Sequence, residues 1–193
     1  MAQNDPISQF ESWFDEAKKS EPSLPEAMSV ATVSADGQPS SRMVLLKSFD
    51  KEGFVFYTNM ESRKGLEIKF NSKTALLFHW KSLQRQVRIV GIISEVSAEE
   101  ADSYFQTRQR GSQIGAWASE QSRVMNGSLD LEKAVASCTA KFGTQTIERP
   151  PFWTGLRVYP TEIEFWSEGT FRLHLREFYS RDGEFWRKAL LYP

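Results

Sequence analysis

The stretch from Arg42 to Lys64, RMVLLKSFDKEGFVFYTNMESRK, reads as a strand, a turn, a second strand and the opening of a helix. RMVLLK at 42–47 is an apolar run with a cation at each end. Asp50 to Gly53 supplies turn chemistry, and FVFYT at 54–58 is a β-rich run. Ser62-Arg63-Lys64 then places cations where a helix start leaves backbone N–H groups free. An interior charge needs a partner. Arg42, Lys47, Arg63 and Lys64 therefore either sit solvated at strand ends and on an exposed helix start, or face an anion such as a phosphate. Strand alternation puts Arg42 and Lys47, five positions apart, on opposite faces. They then serve different anions, or one of them faces solvent.

Upstream, Ile7, Phe10, Trp13, Phe14 and Ala17 recur at helical spacing, predicting an amphipathic helix over Pro6 to Lys19. Ser20 to Pro25 is a loop, Ala27 to Val33 a strand, and Asp36-Gly37 a hairpin turn. Downstream, Thr74 to Trp80 and Gln84 to Ser97 read as paired strands. SAEE at 97–100 is a capping box for the next helix, which carries Ala101, Tyr104 and Phe105. Arg108 to Ser122 is polar and glycine-punctuated, with room for a short helix. Gly127-Ser128 caps a helix over Leu129 to Phe142. After the Pro150-Pro151 connector come short strands at Gly155 to Tyr159, Glu162 to Trp166, Arg172 to Tyr179 and Phe185 to Leu191, the last two joined at Asp182-Gly183. Many short, locally connected strands predict a mainly β, α+β domain: an antiparallel barrel with flanking helices.

A chain of 193 residues suits one domain with a substantial core, and 40% hydrophobic with 25% charged residues is ordinary globular usage. The net charge of −1 leaves no broad nucleic-acid footprint, although local phosphate sites need only a few cations. Aromatics make up 13%, including 14 Phe and 6 Trp, enough for a β-rich core, a subunit interface or stacking on a planar ligand. The single cysteine, Cys138, excludes an intrachain disulfide or thiolate cluster and reads as a packing residue. With His79 and His174 the only histidines, no metal site is expected. MAQNDPISQFESWF has no basic region followed by an apolar core, and no run reaches membrane-spanning length, so a cytoplasmic protein without membrane contact is expected.

Gln86, in QRQVR at 84–88, is a neutral donor and acceptor that suits a heterocycle edge or a strand surface. Arg172, His174 and Arg176 lie at two-residue steps, which on a strand aligns them along one face. Such a face binds an anionic or electron-rich ring, with His174 able to exchange protons near neutrality, or is a solvated edge.

These pieces together resemble the pyridoxine (pyridoxamine) 5′-phosphate oxidases, flavin enzymes with the FMN-binding split-barrel fold. The resemblance rests on RMVLLK at 42–47, FYTN at 56–59, SRK at 62–64, QRQV at 84–87, SQIGAW at 112–117, IEFW at 163–166 and RLH at 172–174. They stand in family order from Ala27 to Trp186. It implies a single domain over 1–193 whose segment 150–193 serves dimerisation and the substrate, and a homodimer with FMN at the subunit interface.

Carried over by position, the resemblance implies that Arg42, Arg63 and Lys64 hold the FMN phosphate and ribityl chain, with Tyr57 and Thr58 adding contacts. Met43, Val44, Leu45 and Leu46 would lie along the flavin, with Lys47 adjoining both ligands. Gln86 would meet the ring edge, and Gln121, Ser122, Trp166 and Arg176 match further FMN contacts, some contributed by the second subunit. Lys47, Tyr104, Arg108 and Ser112 match the pocket for the substrate phosphate, and Arg172 and His174 the catalytic pair beside the pyridine ring. The implied reaction passes a hydride from the C4′ alcohol or amine of pyridoxine or pyridoxamine 5′-phosphate to flavin N5. Oxygen then takes the electrons, giving pyridoxal 5′-phosphate and hydrogen peroxide. Two phosphates would explain these cations in a chain without net positive charge.

Leu175 stands where the family usually has Asp, and Leu190 where it commonly has Arg. The N-terminal stretch lacks the basic-aromatic segment that closes over substrate in some relatives. Two alternatives remain: a split-barrel FMN oxidoreductase with another substrate, and a non-catalytic FMN or pyridoxal phosphate carrier.

Overall fold

The computed structural model describes residues 5–193; the first four residues of the N-terminal stretch read for a leader lie outside them. Helix α1 (Pro6–Ser20) starts on Asp5, whose carboxylate accepts from Ile7 N at 3.0 Å, and carries proline in its first turn. Strands β1 (Ala27–Val33), β2 (Pro39–Leu45), β3 (Ser48–Asp50) and β4 (Gly53–Asn59) follow. Next come α2 (Arg63–Phe70), β5 (Lys73–Trp80) and β6 (Arg85–Glu95), then α3 (Ala98–Thr107), α4 (Arg110–Ala118) and α5 (Asp130–Phe142). The chain closes with β7 (Trp153–Ser167), β8 (Leu175–Asp182) and β9 (Phe185–Leu190).

All described strands join one antiparallel sheet, ordered β2-β1-β5-β6-β7-β4-β3, with β8 and β9 branching from β7. The branch makes it a curled half-barrel. The first half of β7 pairs with β4 and its second half with β8, while β6 runs along both. Sequence reading breaks β7 in two at Pro160, because proline has no N–H for a ladder. Here a bulge absorbs it: Gly91 faces Pro160, Val90 faces Glu162, and Thr161 donates its hydroxyl to the Val90 carbonyl at 3.1 Å. Gly91 is required there, since a Cβ would lie 2.2 Å from the Tyr159 carbonyl oxygen.

Helix α1 fills the barrel. Phe10, fully buried, meets Phe49, Phe54 and Phe78 edge-on with centroids at 4.9, 4.9 and 5.1 Å. Burying one such ring contributes about 1.5–3 kcal/mol. A second cluster, centred on Phe105, Ile114, Ile147 and Trp153, packs α3, α4 and α5 beside the sheet, with Cys138 half-buried against it. Ser97 caps α3, accepting from Glu100 N at 3.1 Å. Helix α5 starts one residue later than its sequence predicts. Leu129, not Gly127-Ser128, takes the cap position, without a side-chain hydrogen bond, and the Asp130 carboxylate instead ties down the preceding loop, accepting from Asn126 N and Gly127 N at 2.9 and 3.0 Å. No described helix is long and apolar enough to cross a membrane.

Candidate functional site

Strand β2, strand β4, the start of α2 and the α3–α4 pair converge on a cavity of about 1020 Å³. Its lining includes Arg42, Met43, Val44, Leu45, Lys47, Tyr57, Thr58, Arg63, Lys64, Tyr104, Arg108, Ser112, Gln121 and Ser122. Of the residues predicted from the Arg42–Lys64 stretch, only Leu46 turns away, into the core at 5% exposure. Arg42 and Lys47 share this cavity, contrary to strand alternation. β2 ends at Leu45, and Lys47 sits in the link to β3, its N–H bonded to the Val55 carbonyl at 2.8 Å.

The cations at the α2 end do not stand alone. Glu67, one turn beyond Arg63 and buried, accepts from Arg63 Nε at 2.8 Å and pairs with Arg42 Nη2 at 3.4 Å. Ser40 and Thr32 also donate to its carboxylate, at 2.7 and 2.5 Å. Burial opposes its charge, but these hydrogen bonds from Thr32, Ser40 and Arg63, with Arg42 nearby, bring its pKa down to about 2. Sequence reading missed Glu67, although its (i, i+4) spacing from Arg63 was the available signal.

Lys64 differs. Its ammonium donates to Thr58 Oγ1, Ser62 Oγ and Gln121 Oε1, each at 3.0 Å, so its protons are placed on neutral acceptors and its charge is not balanced. Burial, and secondly the charge of Arg42, lowers its pKa to about 8. Ser62 also caps α2, accepting from Gly65 N, so free backbone donors of the helix start adjoin the same place. A dianion suits this donor set, and the phosphate of FMN fits it.

Beyond, Tyr57 stacks on Tyr104 at 3.8 Å and on Trp153 at 5.2 Å. Gly155 makes the wall possible, because a Cβ there would lie 2.7 Å from the Tyr57 ring. Burial, chiefly, pushes the Tyr57 hydroxyl up to about 12 and raises that of Tyr104 too, so both remain protonated donors. Arg108 lies with its guanidinium 4.8 Å from the Trp153 ring centroid and 5.7 Å from that of Phe105. Its Nη1 is buried without a hydrogen-bond partner. Trp153, another lining residue that sequence reading missed, had no local signal.

The remaining predicted residues gather elsewhere, on β6–β8. Gln86 pairs across to Trp166, and Trp166 to Arg176. The Trp166 and His174 rings lie 4.6 Å apart, and His174 Nδ1 accepts from Gly169 N at 3.3 Å. Arg176 grips buried Glu164 at 2.7 and 3.1 Å, and Arg88 shares that carboxylate at 3.2 Å. Arg172, His174 and Arg176 do not line one strand face. Phe171 and Arg172 take positive φ (56° and 65°) in a 3₁₀ turn over Thr170–Arg172, and β8 begins only at Leu175. Around them Phe171, Leu173 and Leu175 are exposed. Arg176 is paired despite Leu175: besides Glu164 it donates to the Tyr192 carbonyl at 2.9 Å.

A family model described as pyridoxamine 5′-phosphate oxidase matches residues 14–141. A second, described as the pyridoxine 5′-phosphate oxidase C-terminal dimerisation region, matches 153–193. The chain is 52% identical over 194 residues to a pyridoxine/pyridoxamine 5′-phosphate oxidase of Azorhizobium caulinodans, covering 100% of this chain and 92% of the relative. Identity to the one of Brucella canis is 53% over 192 residues, covering 98% and 94%. Among solved structures, PhzG from Burkholderia lata 383, in complex with tetrahydrophenazine-1-carboxylic acid, superposes with a TM-score of 0.93 at 31% identity, covering 100% of this chain and 94% of that one. A pyridoxamine 5′-phosphate oxidase-related FMN-binding protein from Nostoc punctiforme shares the fold, with a TM-score of 0.78 at 15% identity over 98% of each chain.

Proposed function

The chain belongs to the pyridoxamine 5′-phosphate oxidase family, and from this premise we propose that it oxidises pyridoxine or pyridoxamine 5′-phosphate to pyridoxal 5′-phosphate with FMN and oxygen. One observation carries the match to this chain: a single cavity holds two separate cationic groups that lack full compensation, buried Lys64 and half-buried Arg108, whose Nη1 has no partner. Two phosphorylated ligands in one cavity account for both. When bound, FMN supplies the hydride acceptor for the substrate C4′ carbon and the route of the electrons to oxygen, which leaves as hydrogen peroxide.

The residues bind and orient. Arg42, Arg63, Lys64, Thr58 and Tyr57 would hold the flavin phosphate and ribityl chain, with Gln121 and Ser122 beside them. Met43 to Leu45 would lie along the ring, with Leu46 contributing backbone only. Lys47, Tyr104, Arg108 and Ser112 would hold the substrate phosphate, fixing C4′ against the flavin. Gln86, Trp166, Arg172, His174 and Arg176 would complete the cavity of a second copy in a homodimer. Trp166, Arg172, His174 and Arg176 lie within the matched dimerisation region beside exposed Phe171, Leu173 and Leu175, and Gln86 pairs with Trp166 across the sheet, which supports this. Residues 1–193 act as one unit in this reading, with 150–193 as the dimerisation and substrate segment. The same reading puts the protein in the cytoplasm, where phosphorylated, membrane-impermeant ligands are retained.

The test is an absorbance spectrum of the FMN-loaded protein during anaerobic addition of pyridoxine 5′-phosphate. The flavin band should bleach, then recover on admitting air as peroxide forms. A flavin that stays oxidised rejects the reaction and leaves the alternatives of another substrate or a carrier.

A further inference from the structure

Arg108 is held unlike the other arginines of the cavity. Arg42 and Arg63 touch a carboxylate, whereas Arg108 has no ion pair and no side-chain hydrogen bond among the described residues. What fixes it is aromatic: the Trp153 ring at 4.8 Å and the more distant Phe105 ring. Trp153 is itself fixed. It is 7% exposed, pairs with Asn59 across β4 and β7, stacks on Tyr57, and meets Phe105 edge-on at 5.2 Å. A guanidinium on an aromatic face keeps its in-plane N–H groups free for an anion, and the weak hydration of guanidinium favours this placement. A carboxylate in the same position would occupy those donors and cancel the charge.

We propose that Trp153 is the positioning residue for substrate phosphate, holding Arg108 by its ring face so that the guanidinium edge reaches the anion undiminished. This rests on the oxidase reading above. It adds that substrate affinity is set by an aromatic residue that does not bond the phosphate. Burial lowers the Arg108 pKa, in keeping with a charge left for a ligand to neutralise.

The experiment is steady-state kinetics of the FMN-loaded enzyme on pyridoxine 5′-phosphate, with inorganic phosphate as competitor, for Trp153→Phe and Trp153→Leu. Trp153→Leu should raise KM about tenfold, between the size of an exposed and of a desolvated cation–π contact. The inhibition constant for phosphate should rise in parallel while kcat and FMN content hold. Trp153→Phe, which keeps a ring face, should recover most of the loss. The proposal is overturned if the two variants behave alike, or if kcat falls with KM unchanged. If Trp153→Leu does not fold, Arg108→Lys decides: it keeps the charge without the planar face, so it should show the same KM rise, and wild-type KM would sink the idea. If the wild type does not turn over, the oxidase reading fails by itself. Calorimetric titration with inorganic phosphate then decides the inference, with equal affinities for wild type and Trp153→Leu, or for Arg108→Lys in its place, overturning it.

Discussion

The two ends of the cavity solve one electrostatic problem in different ways. At the α2 end, Arg42 and Arg63 share buried Glu67, so the fold supplies one counter-charge for the two arginines, and Lys64 has none. At the α3 end, Arg108 lies on aromatic faces with a buried N–H unsatisfied. A buried donor without a partner costs about 1–3 kcal/mol, and the exposed part of the same guanidinium is left for an arriving anion. An end with a built-in counter-charge suits a cofactor that stays, because the arginines hold their places with or without it. An end that waits for its anion suits a substrate that must bind and leave.

The largest expected effect breaks the contrast at the α3 end. Arg108→Leu should raise KM for pyridoxine 5′-phosphate by about a hundredfold or more, the scale of losing one partner of a desolvated charge pair. The melting midpoint of the FMN-free protein should stay level or rise, because an unpaired, half-buried charge has gone. A large drop in that midpoint would show that Arg108 supports the fold and is not held in reserve.

The converse variant is Glu67→Ala. It removes the acceptor shared by Thr32, Ser40, Arg42 and Arg63, and should destabilise the FMN-free protein by about 2–3 kcal/mol, a midpoint loss of roughly 5–10 °C for a chain of this size. Added FMN should recover more of it than in the wild type, since its phosphate replaces the missing anion. Because the Glu67 pKa is lowered from 4.5 to about 2, its contribution is complete above pH 4.5 and fades as the pH falls toward 2. Thermal melts of the two proteins should therefore converge in acid. Equal melts at pH 7 would end the idea of a built-in counter-charge.

How far this contrast was legible in the sequence depends on range. Strands β1, β4 and β5 follow from local runs, and the turn before β4 from Asp50, whose carboxylate accepts from Glu52 N and Gly53 N. The cations of the Arg42–Lys64 stretch converge on one cavity, but the phosphate argument treated them alike. Glu67 was readable at helical spacing, yet its burial between two arginines depends on β1 and β2 crossing α2. The RLH stretch misled because its two-residue period persists through a turn where the backbone is not extended. Trp153 acts across β7 to α3, and nothing in its neighbours announces that.

Lys64 offers a sharper, smaller test. In the free protein it titrates near pH 8, and a bound phosphate holds it protonated. The FMN dissociation constant should be flat below pH 8 and weaken above it by up to about tenfold per pH unit. For the FMN-free fold the sign reverses. A lysine pKa lowered from 10.5 means that the unfolded chain binds more protons between pH 8 and 10.5, so this group's contribution to stability rises with pH there. Arg108 stays charged throughout, so substrate KM should show no break from that residue. Calorimetry of FMN binding from pH 7 to 9.5, beside kinetics with FMN saturating, compares the two ends directly. A flat FMN profile would mean that Lys64 does not meet the phosphate.

The smallest effect separates the two arms of the Glu67 clamp. The Arg42 side chain is 20% exposed and also bonds Thr32, Ser40 and the Val30 carbonyl. The Arg63 side chain is 58% exposed and holds Glu67 across a single helical turn. Water screens such a pair, and ordering a long side chain offsets much of the attraction, so Arg63→Gln should move FMN-free stability by no more than about 0.5 kcal/mol. Glu67 would still keep Thr32, Ser40 and Arg42. A loss as large as that of Glu67→Ala would place the counter-charge on a surface pair and not in the interior. The contrast with Arg108 would then be one of exposure, since a clamp that depends on its solvated arm is not part of the core.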